Sequence, residues 1–286
     1  VRIYAFDDGG VRRTGVEHDG WLVDLGADLA ALLREGPDAL HDVASRAIAG
    51  ALAGRARTRE LASARLLAPL ARPGKILCSG VNFRSHLVEN PGATLPTQPF
   101  FFSKLPSAIV GPGVPIRYPA MTRQLDWEVE LAVVIGRRLR HGSEEEARQA
   151  VAGFTILNDV SARDVQFTDH QITLGKNFDT FAPMGPCVVT PDELPTADDL
   201  TLRSFVNGTL MQDGSTRDWI FPLPVLLAFV SQVMTLEPGD VVSTGTPGGV
   251  GVFRTPPVFL RPGDVVVVEI EGIGRLENPV VAEPAR

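Results

Sequence analysis

The sequence predicts an α+β chain that is mainly β, with a small N-terminal α+β domain (residues 1–70) ahead of a larger β-rich domain (71–286). Three observations carry this. From residue 75 onward, runs rich in β-branched residues recur between turn residues: Lys75–Cys78, Val129–Ile135, Phe154–Leu157 and Val265–Ile270. Val206-Asn207-Gly208-Thr209 reads as a hairpin, because Asn-Gly suits a type I′ turn. The first 70 residues have another texture, closed by Pro69, Pro73 and Gly74.

In chain order, Arg2–Phe6 and Gly20–Asp24 alternate like short strands. An Ala/Leu/Arg-rich run follows from Asp28 to about Leu67, with Leu40, Val43, Ala47, Ile48 and Leu52 at helical spacing. Ser143 with Glu146 forms a capping-box pattern ahead of a helix. Ser161 with Asp164 has the same pattern and predicts a second helix start. Pro222 and Pro224 suit the first turn of an apolar helix running to about Met234. The string L-x-P-G-D-V-V occurs at Leu236–Val242 and again at Leu260–Val266. Each copy reads as a type II turn feeding a strand.

Lys and Arg total 27 against 34 Asp and Glu, a net charge of −7, which argues against a nucleic-acid or anionic-membrane surface. Cys78 and Cys187 each sit in an apolar run and read as reduced core thiols. The N-terminal residues lack an apolar signal region, and the Ile220–Leu236 stretch is short for a bilayer span, so a soluble, cytoplasmic chain is expected.

Glu128 and Glu130 flank one residue, so on a strand they share a face. The pair is either a solvated face of an edge strand, or sits near a core where it must be protonated or neutralised by a cation. Asp159 ends an apolar strand and either makes a turn with Asn158 or supplies a third carboxylate. Three carboxylates without a His or Cys cluster form a hard-oxygen site suited to Mg²⁺, Mn²⁺ or Ca²⁺. His86 and Glu89, at i and i+3, are a surface ion pair or a carboxylate-oriented general base. They are expected in a loop full of Pro, Gly and Asn (Asn90, Pro91, Gly92, Pro96, Pro99) suited to closing over a site. Arg163, Gln166 and Lys176 are surface groups or contacts for a carboxylate or oxyanion. Gly245–Gly251 is a tight turn or a backbone that a ligand can approach closely. His18, His41, His141 and His170 lack metal-like spacing.

Seven segments resemble the fumarylacetoacetate hydrolase family: KILCSGVNFRSHLVEN, FFSKLPSAIVGPG, LDWEVELAVVIGR, GFTILNDVSARDVQ, LGKNFDTFAPMGP, VVSTGTPGGVG and LRPGDVVVVEIEGIGRLENPV. They stand in family order across nearly all of residues 75–280. The first 70 residues resemble the small N-terminal domain of longer bacterial members. The resemblance implies a mixed β-sandwich roll assembled as a homodimer. It places Glu128, Glu130 and Asp159 at the metal positions, with Mg²⁺, Mn²⁺ or Ca²⁺ as the ion. It makes His86 and Glu89 a water-activating dyad. Lys176, Arg163 and Gln166 become oxyanion and carboxylate contacts, and Thr246 a substrate contact. Gln171-Ile172-Thr173-Leu174 departs from the pattern, since many relatives carry Trp there.

The activity expected first is metal-dependent hydrolysis of a C–C bond in an acylpyruvate or fumarylpyruvate-type 1,3-diketo acid. The alternative is decarboxylation or enol–keto isomerisation of a 2-oxo diacid, of the oxaloacetate or 2-hydroxyhepta-2,4-diene-1,7-dioate type. A ligand-binding protein without catalysis is a third reading, which the His86–Glu89 pair disfavours. The expected partner is a small 2-oxo acid, with no nucleic acid or membrane.

Overall fold

The β-branched runs form two main sheets in the computed structural model, which describes residues 1–168, 171–194 and 196–284. His170 lies outside the described residues. The spine of the larger sheet runs Thr58–Glu60, Trp21–Asp24, Val11–His18, Arg2–Asp8, Ala182–Val189, Val151–Asn158, Val129–Ile135, Val241–Ser243, Ile76–Gly80 and Phe100–Lys104. The second sheet runs Thr209–Ser215, Thr201–Val206, Val265–Ile270, Gly274–Ala282 and Ile116–Tyr118. The sheets meet where Ala182–Val189 contacts Gly274–Ala282 and Val151–Asn158 contacts Val265–Ile270. This is the mainly β, α+β architecture that the strand-rich sequence predicts, and the two packed sheets are the sandwich that the family resemblance implies.

Val129–Ile135 is buried at every residue and lies between Val151–Asn158 and Val241–Ser243. A continuous apolar run is what a strand covered on both faces requires. Glu130 therefore belongs to a central strand, and the edge-strand reading falls. Both L-x-P-G-D-V-V copies form turns with their glycine at positive φ, 89° at Gly239 and 100° at Gly263. In each, the aspartate then accepts the backbone N–H three residues back: Asp240 from Glu237 and Asp264 from Arg261, both at 2.7 Å. Asn207 and Gly208 also take positive φ, 52° and 78°, as a type I′ hairpin demands. The Ser143–Glu146 capping box closes in both directions, and the apolar helix spans Leu223–Val233.

Two local expectations change. The helical texture ends at Leu52 rather than Leu67, after helices Leu29–Glu35 and Pro37–Leu52. Gly54, at φ 68°, turns the chain, and Arg65–Leu67 pairs as a strand with Ala5–Asp7. Ser161 does not cap a helix. It pairs with Asp126 in a two-residue ladder, and its hydroxyl donates to the Asp159 carbonyl. The short helix Arg163–Gln166 starts without a side-chain cap.

The first strand pairs Arg2 with Val189 and Ile3 with Val188, so the N-terminal strands continue the larger sheet. Cys78 and Cys187 are free and buried. Among the described residues no helix is long and apolar enough to cross a membrane.

Candidate active site

Strand register assembles the acidic cluster. Antiparallel pairing sets Val129 opposite Asn158 and Glu130 opposite Leu157, which brings the Asp126–Glu130 segment beside Asp159. The Asp159 N–H donates to the Glu128 carbonyl at 2.9 Å, and Asn158 Oδ1 accepts the Glu128 N–H at 3.1 Å. Asp126, Glu128, Glu130 and Asp159 are all buried.

Three buried cations enter from other elements. Lys176 Nζ donates to Glu128 Oε2 at 2.8 Å and to Asp159 Oδ2 at 2.6 Å, and sits 5.0 Å from the centre of the Phe102 ring. Arg163 pairs with Asp126 Oδ2 through Nε at 2.8 Å and with Glu128 Oε1 through Nη2 at 2.6 Å. Its Nη1 donates to Gln166 Oε1 at 3.1 Å. Lys104 Nζ donates to Asp159 Oδ1 at 2.5 Å and to the Val160 carbonyl at 3.2 Å. Gly175 lets the helix carrying Lys176 lie against the one carrying Arg163 and Gln166. A Cβ there would stand 2.6 Å from Gln166 Cα.

The electrostatics follow from these contacts. Burial alone would raise the Glu128 carboxyl, but Arg163 and Lys176 outweigh it and hold it below the usual carboxylate range. Burial likewise opposes the Lys176 ammonium, yet Asp159 and Glu128 raise its pKa above the ordinary value. Glu130 differs. Burial, with Asp159 and Glu128 nearby, pushes its carboxyl well up. Its hydrogen bond comes from the Ser243 hydroxyl, and no lysine or arginine pairs with it among the described residues. Asp126, Glu128 and Asp159 thus face the three buried cations, and Glu130 is left for a proton or a bound cation to neutralise.

A bound cation in place of the Glu130 proton fits these donors. Glu130 and Asp159 offer oxygens within 4.8 Å of each other and of Cys78 Sγ, close enough to share one ion. Burial and the two carboxylates push the Cys78 thiol well up, which disfavours a thiolate ligand and leaves a hard-oxygen pair. Glu128 stands beside that pair, with both its oxygens already in contact with Arg163 and Lys176.

A cavity of about 120 Å³ opens over the cluster. Its lining brings together His86, Glu128, Glu130, Arg163, Gln166, Lys176 and Thr246 with Phe100, Phe102 and Phe253. Asp159 lies beneath this lining and meets it through Lys176. His86 and Glu89 share the helix Arg84–Glu89, with Nδ1 2.7 Å from Glu89 Oε1. The other Glu89 oxygen accepts the Gly249 N–H at 2.6 Å, tying the helix to the glycine-rich turn. Thr246 lines the cavity, but its hydroxyl donates to the Val129 carbonyl and accepts from Gln212. In the departing stretch, Ile172 also lines the cavity, with φ 66°, an unusual conformation for a β-branched residue.

Sequence reasoning missed Lys104 and Asp126. Lys104 shares a strand face with Phe100 and Phe102 in FFFSK, and that two-residue period was the available signal. Asp126 accepts from the N–H groups of Trp127, Gly251 and Val252 and from Arg163, so it holds Arg163 and the glycine-rich turn together. Nothing local in the sequence marks that long-range role.

Residues 75–281 match the family described as fumarylacetoacetate (FAA) hydrolase, C-terminal. The mitochondrial oxaloacetate tautomerase FAHD2A of Homo sapiens is 46% identical over 246 residues, covering 85% of this chain and 77% of that protein. The mitochondrial oxaloacetate tautomerase of Xenopus laevis is 48% identical over 218 residues, 76% of this chain and 68% of that one. Among solved structures, a fumarylacetoacetate hydrolase from the psychrophile Exiguobacterium antarcticum superposes with a TM-score of 0.85 at 38% identity, over 99% of both chains. A maleylpyruvate hydrolase from Sphingobium sp. SYK-6, in complex with manganese(II) and pyruvate, gives 0.81 at 32% identity, over 99% of this chain and 100% of that one. The extent of these matches and the shared fold make this chain a member of the fumarylacetoacetate hydrolase family.

Proposed function

We propose that the chain catalyses enol–keto tautomerisation of a short 2-oxo diacid of the oxaloacetate type, with a divalent cation held at the carboxylate cluster. The observation that carries this is the cavity. Its volume of about 120 Å³ lies below the ~300 Å³ at which pockets for drug-sized ligands begin, so it suits a four-carbon acid better than a long acyl tail. Lining that space are the His86 imidazole, which Glu89 contacts from outside the lining, and two buried cations, Lys176 and Arg163. The likeness to oxaloacetate tautomerases also supports this reading over C–C hydrolysis, which the sequence put first.

Tautomerisation needs one proton moved from C3 and one added at the 2-oxo oxygen. An Nδ1–H donating to Glu89 leaves His86 Nε2 to take the C3 proton. The C3–H electron pair then forms the C2–C3 double bond. His86 passes its proton to solvent, and the enolate oxygen takes one up near Lys176. Lys176 and Arg163 hold positive charge where the enolate gathers negative charge. Glu130 and Asp159, with Glu128 beside them, would hold the divalent ion, which as a Lewis acid stabilises an enolate.

The test incubates the Mg²⁺-loaded protein separately with oxaloacetate and with an acylpyruvate, followed by NMR. Enol and keto oxaloacetate should interconvert faster than in buffer while the acylpyruvate stays intact. Cleavage of the acylpyruvate to pyruvate and a free acid, with oxaloacetate equilibration unchanged, would return the assignment to hydrolysis.

A further inference from the structure

Lys104 is the cation of this cluster that nothing in the reaction above uses. Its side chain is fully buried, at 0% exposure, at the end of strand Phe100–Lys104. Its ammonium reaches Asp159 Oδ1 at 2.5 Å and the Val160 carbonyl at 3.2 Å, both parts of the chain just past strand Val151–Asn158. The opposite oxygen, Asp159 Oδ2, faces Lys176 at 2.6 Å. The two lysines therefore divide one carboxylate. Lys176 lines the cavity and Lys104 does not. A ligand entering the cavity can compete with Lys176 for Oδ2, while Lys104 keeps Oδ1 from below.

We propose that Lys104 is the positioning and charge-balancing residue of the site. It holds one oxygen of Asp159, so that this carboxylate offers a single oxygen to a cation. It also keeps a positive charge beneath the cavity that favours a doubly charged 2-oxo acid. This rests on the carboxylate cluster binding a divalent ion, and it holds whether the chain isomerises or hydrolyses its substrate. The two effects oppose each other in a way that Coulomb's law makes testable. A buried ammonium beside Asp159 weakens the attraction for a cation and strengthens it for a dianion.

The experiment measures Mn²⁺ binding by calorimetry and electron paramagnetic resonance, then oxalate binding at saturating Mn²⁺. The proteins are wild type, Lys104→Gln, Lys104→Met and Lys104→Arg. Glutamine keeps a hydrogen-bond donor for Asp159 without the charge, and so remains informative if the methionine variant fails to fold. Lys104→Gln should bind Mn²⁺ about tenfold tighter and oxalate about tenfold weaker, and Lys104→Arg should stay near wild type on both. Opposite shifts of this kind do not arise from a general loss of structure. Equal weakening of Mn²⁺ and oxalate, or no change in either, would overturn the proposal. Failure of wild type to bind Mn²⁺ at all would instead remove the metal site on which the proposed function relies.

Discussion

Lys176→Met should lower turnover by about 100- to 1,000-fold, the usual loss when one preorganised charge-stabilising donor is removed. The same substitution should also destabilise the metal-free protein. Lys176 bridges Glu128 and Asp159 in a fully enclosed setting, at 2.8 and 2.6 Å. Removing one partner from such a buried arrangement costs up to about 3–5 kcal/mol, because Glu128 then keeps only Arg163 and Asp159 only Lys104. Methionine keeps most of the side-chain volume, so lost packing contributes little. A divalent ion restores positive charge at the same carboxylates, and a ligand that binds only the folded state stabilises it. Added Mn²⁺ should therefore recover most of the lost thermal stability without recovering turnover. Thermal unfolding with and without the ion, beside steady-state rates, separates the two effects. Turnover near the wild-type rate would remove Lys176 from the chemistry.

His86→Gln should cost about 100- to 10,000-fold in turnover, the range for a positioned general acid or base. Its thermal stability should stay close to wild type. The Arg84–Glu89 helix has no buried residue, so the substitution opens no core cavity and strands no deeply buried charge. Glu89→Gln should fall between the two. It can still accept from Gly249, but it loses the charge that stabilises a protonated imidazole. Rates for Glu89→Gln as low as those for His86→Gln would mean that Glu89 acts directly on the substrate.

Much of the fold was legible because local chemistry and tertiary structure agree. Asn207-Gly208 makes the turn its residues favour, both Pro-Gly-Asp turns close on their own aspartate, and the Ser143–Glu146 box forms as written. Legibility failed where a long-range pairing outweighed a local preference. Ser161 and Asp164 carry a capping pattern, but pairing with Asp126 draws Ser161 into a strand, and Asp164 accepts from Thr122 and Arg123 instead. Arg65–Leu67 continues a helical composition yet completes a sheet beside Ala5–Asp7.

The candidate site shows the same division. Its cavity-lining residues His86, Arg163, Gln166 and Lys176, with Glu89 against His86, stood in recognisable motifs, and the fold brings them together. The groups beneath them did not. Lys104 lies 55 residues from Asp159 in sequence, and Asp126 meets Gly251 across 125. Only the assembled sheets create those neighbourhoods. Spacing alone also left Glu130 open to a solvated reading, which burial on a central strand removes.

The most direct test of the proposed chemistry is stopped-flow absorbance of enol oxaloacetate mixed with Mg²⁺-loaded protein, comparing wild type with His86→Gln. Wild type should convert enol to keto acid well above the buffer rate, and His86→Gln should fall back toward that rate. Wild-type protein that binds Mg²⁺ yet leaves enol decay unchanged would contradict the tautomerase reading.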